Sequence, residues 1–202
     1  MKIFNFFIKK KKNDNEIYSN LIDEFAKIAS VEISDKLQEL FNKPIILDNI
    51  SKIFISVGEL PLLIGDAEDT AISVIFNIEN EIFGKLALLL SRNSALNLYN
   101  LLTQKNLISI EEKEGILNND VASCIESVAS IFSMSFVSAI SNLIQKPIFT
   151  SVPVISYSFR DSVINEIICG QDISGNNLEI FISRFTIEKI DGFFLFIPEG
   201  KK

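Results

Sequence analysis

Histidine is absent from this 202-residue chain, and cysteine occurs only as Cys124 and Cys169. Every mechanism that needs imidazole is thereby excluded, including Ser-His-Asp triads, Cys-His pairs and histidine-ligated zinc. What is left for chemistry is two sets of residues at helical spacing: Asn20, Glu24, Lys27 and Glu32, and later Ser123, Ser127, Ser130 and Ser135. Steps of three, four and five place each set along one flank of a helix, opposite an apolar stripe. Serine hydroxyls with no base nearby are weak nucleophiles, so Ser127 and Ser130 read as surface or groove residues. Glu24 and Lys27 have the spacing of ordinary charged neighbours on a solvated helix face. No Gly-x-x-x-x-Gly-Lys-Ser/Thr or Gly-x-Gly-x-x-Gly stretch occurs, so nucleotide binding by those loops is unsupported.

The elements that must position these residues are written twice. Asn42-Lys43-Pro44-Ile45 recurs as Gln145-Lys146-Pro147-Ile148, 103 residues on from Lys43 to Lys146. The same step sets Ile22 on Ile125, Ala26 on Ala129, Ile28 on Ile131, Ser30 on Ser133 and Leu40 on Leu143 without a gap. Further on, Glu79 to Leu90 resembles Thr186 to Ile197, and setting Gly84 on Gly192 makes the step 108, so a few residues are inserted in the second copy. In the first copy, apolar residues three and four apart predict a helix over Glu16 to Phe41, stopped by Pro44. One or two strands follow in Ile45 to Val57, then a hairpin from Ala71 to Leu90 and a short helix over Ser94 to Leu102, capped near Asn93 or Ser94. The second copy predicts a helical stretch from about Ile110 to Ile144, a strand from Phe149 to Tyr157 and a hairpin from Leu178 to Ile197. Helices beside long antiparallel strands imply an α+β layer structure in which both copies share one sheet about a pseudo-two-fold axis. The division expected is an N-terminal arm, 1–15, and a single domain, 16–202, made of repeats at about 16–105 and 106–198.

Composition narrows the class. The chain is 48% hydrophobic, with a mean hydropathy of +0.30 and 17 phenylalanines. Its longest apolar runs, such as Leu86 to Leu90, have strand length, so no membrane span is expected. The net charge of −7 argues against a nucleic-acid partner over most of the surface. Apolar residues Ile3 to Ile8 precede Lys9 to Lys12, the reverse of a secretory signal, and free thiols fit a cytoplasmic location. That arm reads either as an anchor or docking peptide or as a segment whose apolar part packs on the domain.

The two helix-then-strand units resemble the CheC/CheX/FliY family of chemotaxis phosphatases, which removes phosphate from the aspartyl-phosphate of CheY-type response regulators. Family members carry Asp or Ser, three residues, Glu, two residues, Asn, then twenty-two residues and Pro. The second copy fits that frame at Ser123, Ser127, Ser130 and Pro153, within Ser151-Val152-Pro153; the first fits at Asn20, Glu24, Lys27 and Ile50. The resemblance implies a CheC-like duplicated fold and catalytic positions at Glu24, Lys27, Ser127 and Ser130. Partner-binding positions are expected along the same helix flanks at Asn20, Glu32, Ser123 and Ser135. Glu survives only as Glu24, and the water-orienting Asn survives in neither copy. An amide donates and accepts at once, whereas Lys27 only donates and Ser130 offers a shorter hydroxyl. A register one residue earlier restores Asp23 and Glu126 as acids but puts Ala26 and Ala129 at the amide positions.

Three functions follow as expectations. The chain is a binding module for a CheY-type regulator, a CheD-like deamidase or flagellar switch proteins, with phosphatase activity weak or lost. Alternatively it is an active phosphatase with a rearranged site, or a structural module that forms a homodimer. No cofactor or metal is expected from the chain itself; Mg2+ would be carried by the regulator.

Overall fold

The computed structural model describes residues 15–61, 70–113, 115–170 and 177–199, with side chains from Ile28 onward. The first repeat runs α1 (Asn15–Phe41), β1 (Ile46–Leu47), β2 (Ser51–Ser56), β3 (Thr70–Asn80), β4 (Gly84–Ser91) and α2 (Arg92–Thr103). A small hairpin of β5 (Glu111–Lys113) and β6 (Ile116–Leu117) leads into the second repeat. That repeat runs α3 (Asn119–Ile144), β7 (Ile148–Thr150), β8 (Val154–Phe159), α4 (Arg160–Ile168), β9 (Asn177–Ile187) and β10 (Ile190–Pro198). The two long helices end alike. Asn42 and its counterpart Gln145 take left-handed backbone with φ of 49° and 54°, and their N–H groups bond back to the carbonyls of Gln38 and Ser141. Pro44 and Pro147 then bar continuation.

One eight-stranded antiparallel sheet holds the molecule together. Its centre is the β4–β10 ladder, flanked by β3 and β9, and each repeat lends its first strands to the other: β1 and β2 pair with β9, β7 and β8 with β3. The registers map onto one another. Gly84 opposite Pro198 becomes Leu90 opposite Gly192 when each residue moves 108 places, the Gly84-to-Gly192 step. Ile46 opposite Thr186 becomes Phe149 opposite Glu79, and Ser51 opposite Ile182 becomes Val154 opposite Ile75. In those pairs β1 and β2 move 103 places to β7 and β8, while β9 moves 107 places to β3. The outer hairpin strands lag by one place because the second hairpin holds one residue more: six residues separate the paired Phe185 and Gly192, and five separate Ile78 and Gly84. Ladders that superpose residue by residue are the signature of a half-turn between β4 and β10.

The half-turn puts both long helices on one face of the sheet. Ala29, Ile33, Leu37 and Phe41 of α1, at intervals of four, and Ile125, Ala129, Phe132 and Phe136 of α3 are buried there with Phe181, Phe185, Phe194 and Phe196. Phe132 stacks on Phe194 with ring centres 3.6 Å apart, and Phe194 stacks in turn on Phe185 at 4.6 Å. On the other face, α4 buries Val163, Ile164, Ile167 and Ile168 against Ala71, Ile75, Leu89 and Leu195. By length and composition α3 could also cross a membrane, a feature that the apolar runs alone did not reveal. Here its apolar stripe is spent on the sheet.

Three sequence expectations are corrected. The helix expected from Ile110 begins only at Asn119, because Asn118 caps it and residues 111–117 turn back at Gly115, whose φ is +74°. The strand expected over Phe149 to Tyr157 is broken at 151–153, where Ser151 exchanges hydrogen bonds with the backbone of Asn77. The cap of α2 is Ser91, whose hydroxyl accepts from the Ser94 N–H at 3.1 Å.

Candidate functional site

The outward flank of α3 starts at a well-made helix N-terminus. The Asn118 side chain accepts from the N–H groups of Asp120 at 2.9 Å and Val121 at 3.3 Å, and Asp120 complements the dipole in the first turn. Ser123 and Ser127 are exposed beyond it and Ser130 is half-buried. The Ser127 hydroxyl donates to the Ser123 carbonyl at 2.8 Å and that of Ser130 to the Glu126 carbonyl at 2.7 Å. Both protons are therefore committed to the helix backbone, and the hydroxyls face outward as acceptors. Ala129 is fully buried, which rules out the register one residue earlier: its amide position would face the core.

Ser135 does not join this flank. It is 8% exposed, because a step of five turns a helix by about 500° and carries it roughly 140° around from Ser130. Met134, four residues after Ser130, holds the outward place instead and is 69% exposed. Ser138 and Asn142 continue the exposed line. Cys124 lies half-buried beside Ser123, and burial pushes its thiol pKa up, so it is no thiolate nucleophile. On α1, Glu32 is half-buried, while the side chains of Asn20, Glu24 and Lys27 lie outside the described residues, as does the arm through Asp14. Among the described residues no cluster of acidic or cysteine side chains could hold a metal ion.

Met134 opens a groove between α3 and β7 that sequence reasoning missed. It has a volume of about 400 Å³ and is lined by Met134, Val137, Ser138, Ser141 and Asn142 of α3 with Phe149 of β7. Phe149 is 61% exposed, so two large apolar side chains face solvent across a trough of hydroxyls and an amide with no formal charge. The half-turn produces a related surface on the first repeat, where Val31 stands for Met134 and Ile46 for Phe149; both are exposed as well. There Asp35 replaces Ser138 and Glu39 replaces Asn142, with Lys36 held to Glu39 at 3.1 Å. The equivalent positions are thus uncharged in the second repeat and carry Asp35, Lys36 and Glu39 in the first. Extending the serine flank by one further turn would have found Met134 in the sequence; that it shares a groove with Phe149 depends on the helix-to-strand turn.

FliY from Thermotoga maritima superposes on this chain with a TM-score of 0.65 at 14% identity, covering 94% of this chain and 92% of that one. CheX in the CheX–CheY–BeF3–Mg2+ complex from Borrelia burgdorferi gives 0.59 at 14% identity, over 87% of this chain and 97% of that one. The fold is that of FliY and CheX. The FliM–SpeE complex from H. pylori provides a further match, with a TM-score of 0.61 at 10% identity over 95% of this chain and 90% of that one. No protein-family model and no curated protein matches the sequence. In this CheX-like fold the flank of Ser123, Ser127 and Ser130 and the groove beyond it form one continuous surface along α3.

Proposed function

We propose that this chain is a docking protein of chemotaxis or flagellar signalling, which holds a CheY-type response regulator along the α3 flank and hydrolyses its aspartyl-phosphate weakly or not at all. The observation that carries this reading is the neutral surface from Ser123 to Asn142, with exposed Met134 and Phe149 and with hydroxyls where the family has Glu and Asn. An aspartyl-phosphate is anionic, so a partner carrying one is repelled less by this surface than by the related surface bearing Asp35 and Glu39. The solution of a CheX together with CheY supports a partner of this class.

Weak turnover follows from the chemistry. Hydrolysis requires a group that holds the attacking water in line with the phosphorus, and catalysis of phosphoryl transfer is mostly such positioning. The Ser130 proton points back at Glu126, and no imidazole or neighbouring amide on α3 can take over the role. Purified protein mixed with a phosphorylated CheY-type regulator tests both halves. Binding at micromolar concentration with phosphate release at the regulator's own rate is expected. Rapid release would establish an active phosphatase, and a self-associating chain that ignores the regulator would establish a dimerisation module.

A further inference from the structure

Sulfur is scarce in this chain, and one sulfur stands at the groove. Methionine occurs only as Met1 and Met134, so Met134 is the one thioether among the described residues. Its side chain is 69% exposed, while the equivalent position in the first repeat holds Val31, which has no sulfur to oxidise. The two thiols are placed differently. Burial raises the thiol pKa of Cys124 and so withholds the thiolate that oxidants attack. Cys169 is exposed, but it follows α4 on the far face of the sheet.

The groove can accommodate the oxidised side chain as well as the reduced one. A thioether is apolar, whereas its sulfoxide is polar and chiral and carries an oxygen that accepts hydrogen bonds. Ser138 and Asn142, four and eight residues beyond Met134, share its face of α3, and both line the groove with groups that donate. Ser141 is committed elsewhere, since its hydroxyl donates to the Lys146 carbonyl at 2.7 Å. Oxidation therefore leaves the fold intact and changes what the surface offers: an exposed apolar anchor becomes a polar group.

We infer that Met134 is a reversible oxidation site whose sulfoxide releases the partner docked along α3, an inference that rests on the docking reading given under the proposed function. A peroxide supplies the oxygen. Its O–O bond breaks, the sulfur gives up two electrons and gains one oxygen atom, and water leaves. Methionine sulfoxide reductases reverse the step with thiols, which become a disulfide as the oxygen departs in water. Because Val31 cannot take part, the switch acts on the second repeat alone.

Peroxide treatment of the full chain tests this, with Cys169→Ser to remove the exposed thiol. The treated protein, freed of peroxide, is titrated calorimetrically with a beryllofluoride-activated CheY-type regulator. One added oxygen mapped to Met134 by peptide mass, an unchanged melting curve and an affinity weaker by roughly ten-fold are expected, the loss that follows when an apolar anchor turns polar. Methionine sulfoxide reductases should restore the affinity, and in Met134→Leu peroxide should change nothing, whatever the affinity of that variant. Equal affinities before and after complete oxidation of Met134, or the same loss in Met134→Leu, would overturn the switch and leave the docking reading standing. An untreated chain that ignores the regulator would overturn the docking reading and the switch with it. Met134 left unmodified by peroxide that converts free methionine would overturn the site itself.

Discussion

Ser30 and Ser133 occupy equivalent places in the two repeats, yet only one of them is bonded. The Ser30 hydroxyl oxygen accepts from the Ile50 N–H at 3.4 Å, whereas the counterpart of Ile50 is Pro153, which has no N–H to give. Ser133 is 1% exposed and its hydroxyl finds no partner among the described residues. A buried hydroxyl left unsatisfied costs about 1–3 kcal/mol. Ser133→Ala is therefore expected to raise stability by about 1 kcal/mol, while Ser30→Ala lowers it by about 0.5–1 kcal/mol, as read from urea denaturation midpoints. Pro153 itself was legible in the sequence, but the serine it orphans was not, because that pairing runs between a helix and a loop twenty residues away. A second residue-scale expectation concerns pH. The Tyr157 hydroxyl, and then the Arg92 charge, hold the Glu111 carboxyl below its usual range against the opposing pull of burial. A carboxylate with a lowered folded pKa contributes stability that is full above its unfolded pKa of about 4.3 and is lost as pH falls through the folded value. Tyr157→Phe should therefore unfold more easily than the parent at pH 7. The difference should shrink when thermal melts are repeated below pH 4, and one that grew instead would contradict this assignment.

At the scale of elements, the central ladder depends on two glycines at equivalent places, Gly84 opposite Pro198 and Gly192 opposite Leu90. A Cβ on Gly192 would stand 2.6 Å from the Leu90 methyl and from the Phe185 ring, side-chain atoms that would have to move to admit it. A Cβ on Gly84 would collide with the Ile197 carbonyl oxygen, which belongs to the neighbouring strand and cannot move without breaking the ladder. Overpacking a tight interior costs about 1–3 kcal/mol. Gly192→Ala should fall in that range and Gly84→Ala at or above its upper end, and chemical denaturation of the two variants side by side would show the order. The recurrence of these glycines was readable in the amino-acid sequence, as were both long helices and both hairpins, because each has a strong apolar period of its own. The approach to α3 was not. Ile110, Ile116 and Leu117 have spacings that suit a helix, and only the backbone reversal at Gly115 and the Asn118 cap show that the chain turns first. Strand exchange between the repeats was likewise invisible, since pairing partners far apart in sequence leave no periodic trace in either strand.

The whole molecule presents two half-turn-related surfaces, and their difference in charge yields a prediction with an internal control. If an anionic regulator docks on the neutral surface, Met134 and Phe149 are its exposed apolar anchors, and residues of that kind near the centre of an interface carry about 2 kcal/mol or more each. Met134→Asp and Phe149→Ser should each weaken binding by roughly ten-fold or more, since about 1.4 kcal/mol corresponds to a factor of ten. Val31→Asp and Ile46→Ser place the same chemistry on the related acidic surface and should change the affinity by less than about two-fold, as expected for surface positions outside a contact. All four side chains are already exposed, so none of the substitutions opens the core, and titration calorimetry against a beryllofluoride-activated regulator can compare them directly. Equal losses on both surfaces would mean that the regulator does not distinguish the repeats, and a loss confined to Val31 and Ile46 would move docking to α1. The serine flank was visible from spacing alone. The groove was not, because Met134 and Phe149 lie on different elements and come to line one groove only after the chain reverses at Gln145. In the docking proposed above, the charge difference between the two related surfaces is the feature by which an anionic partner would select one of them.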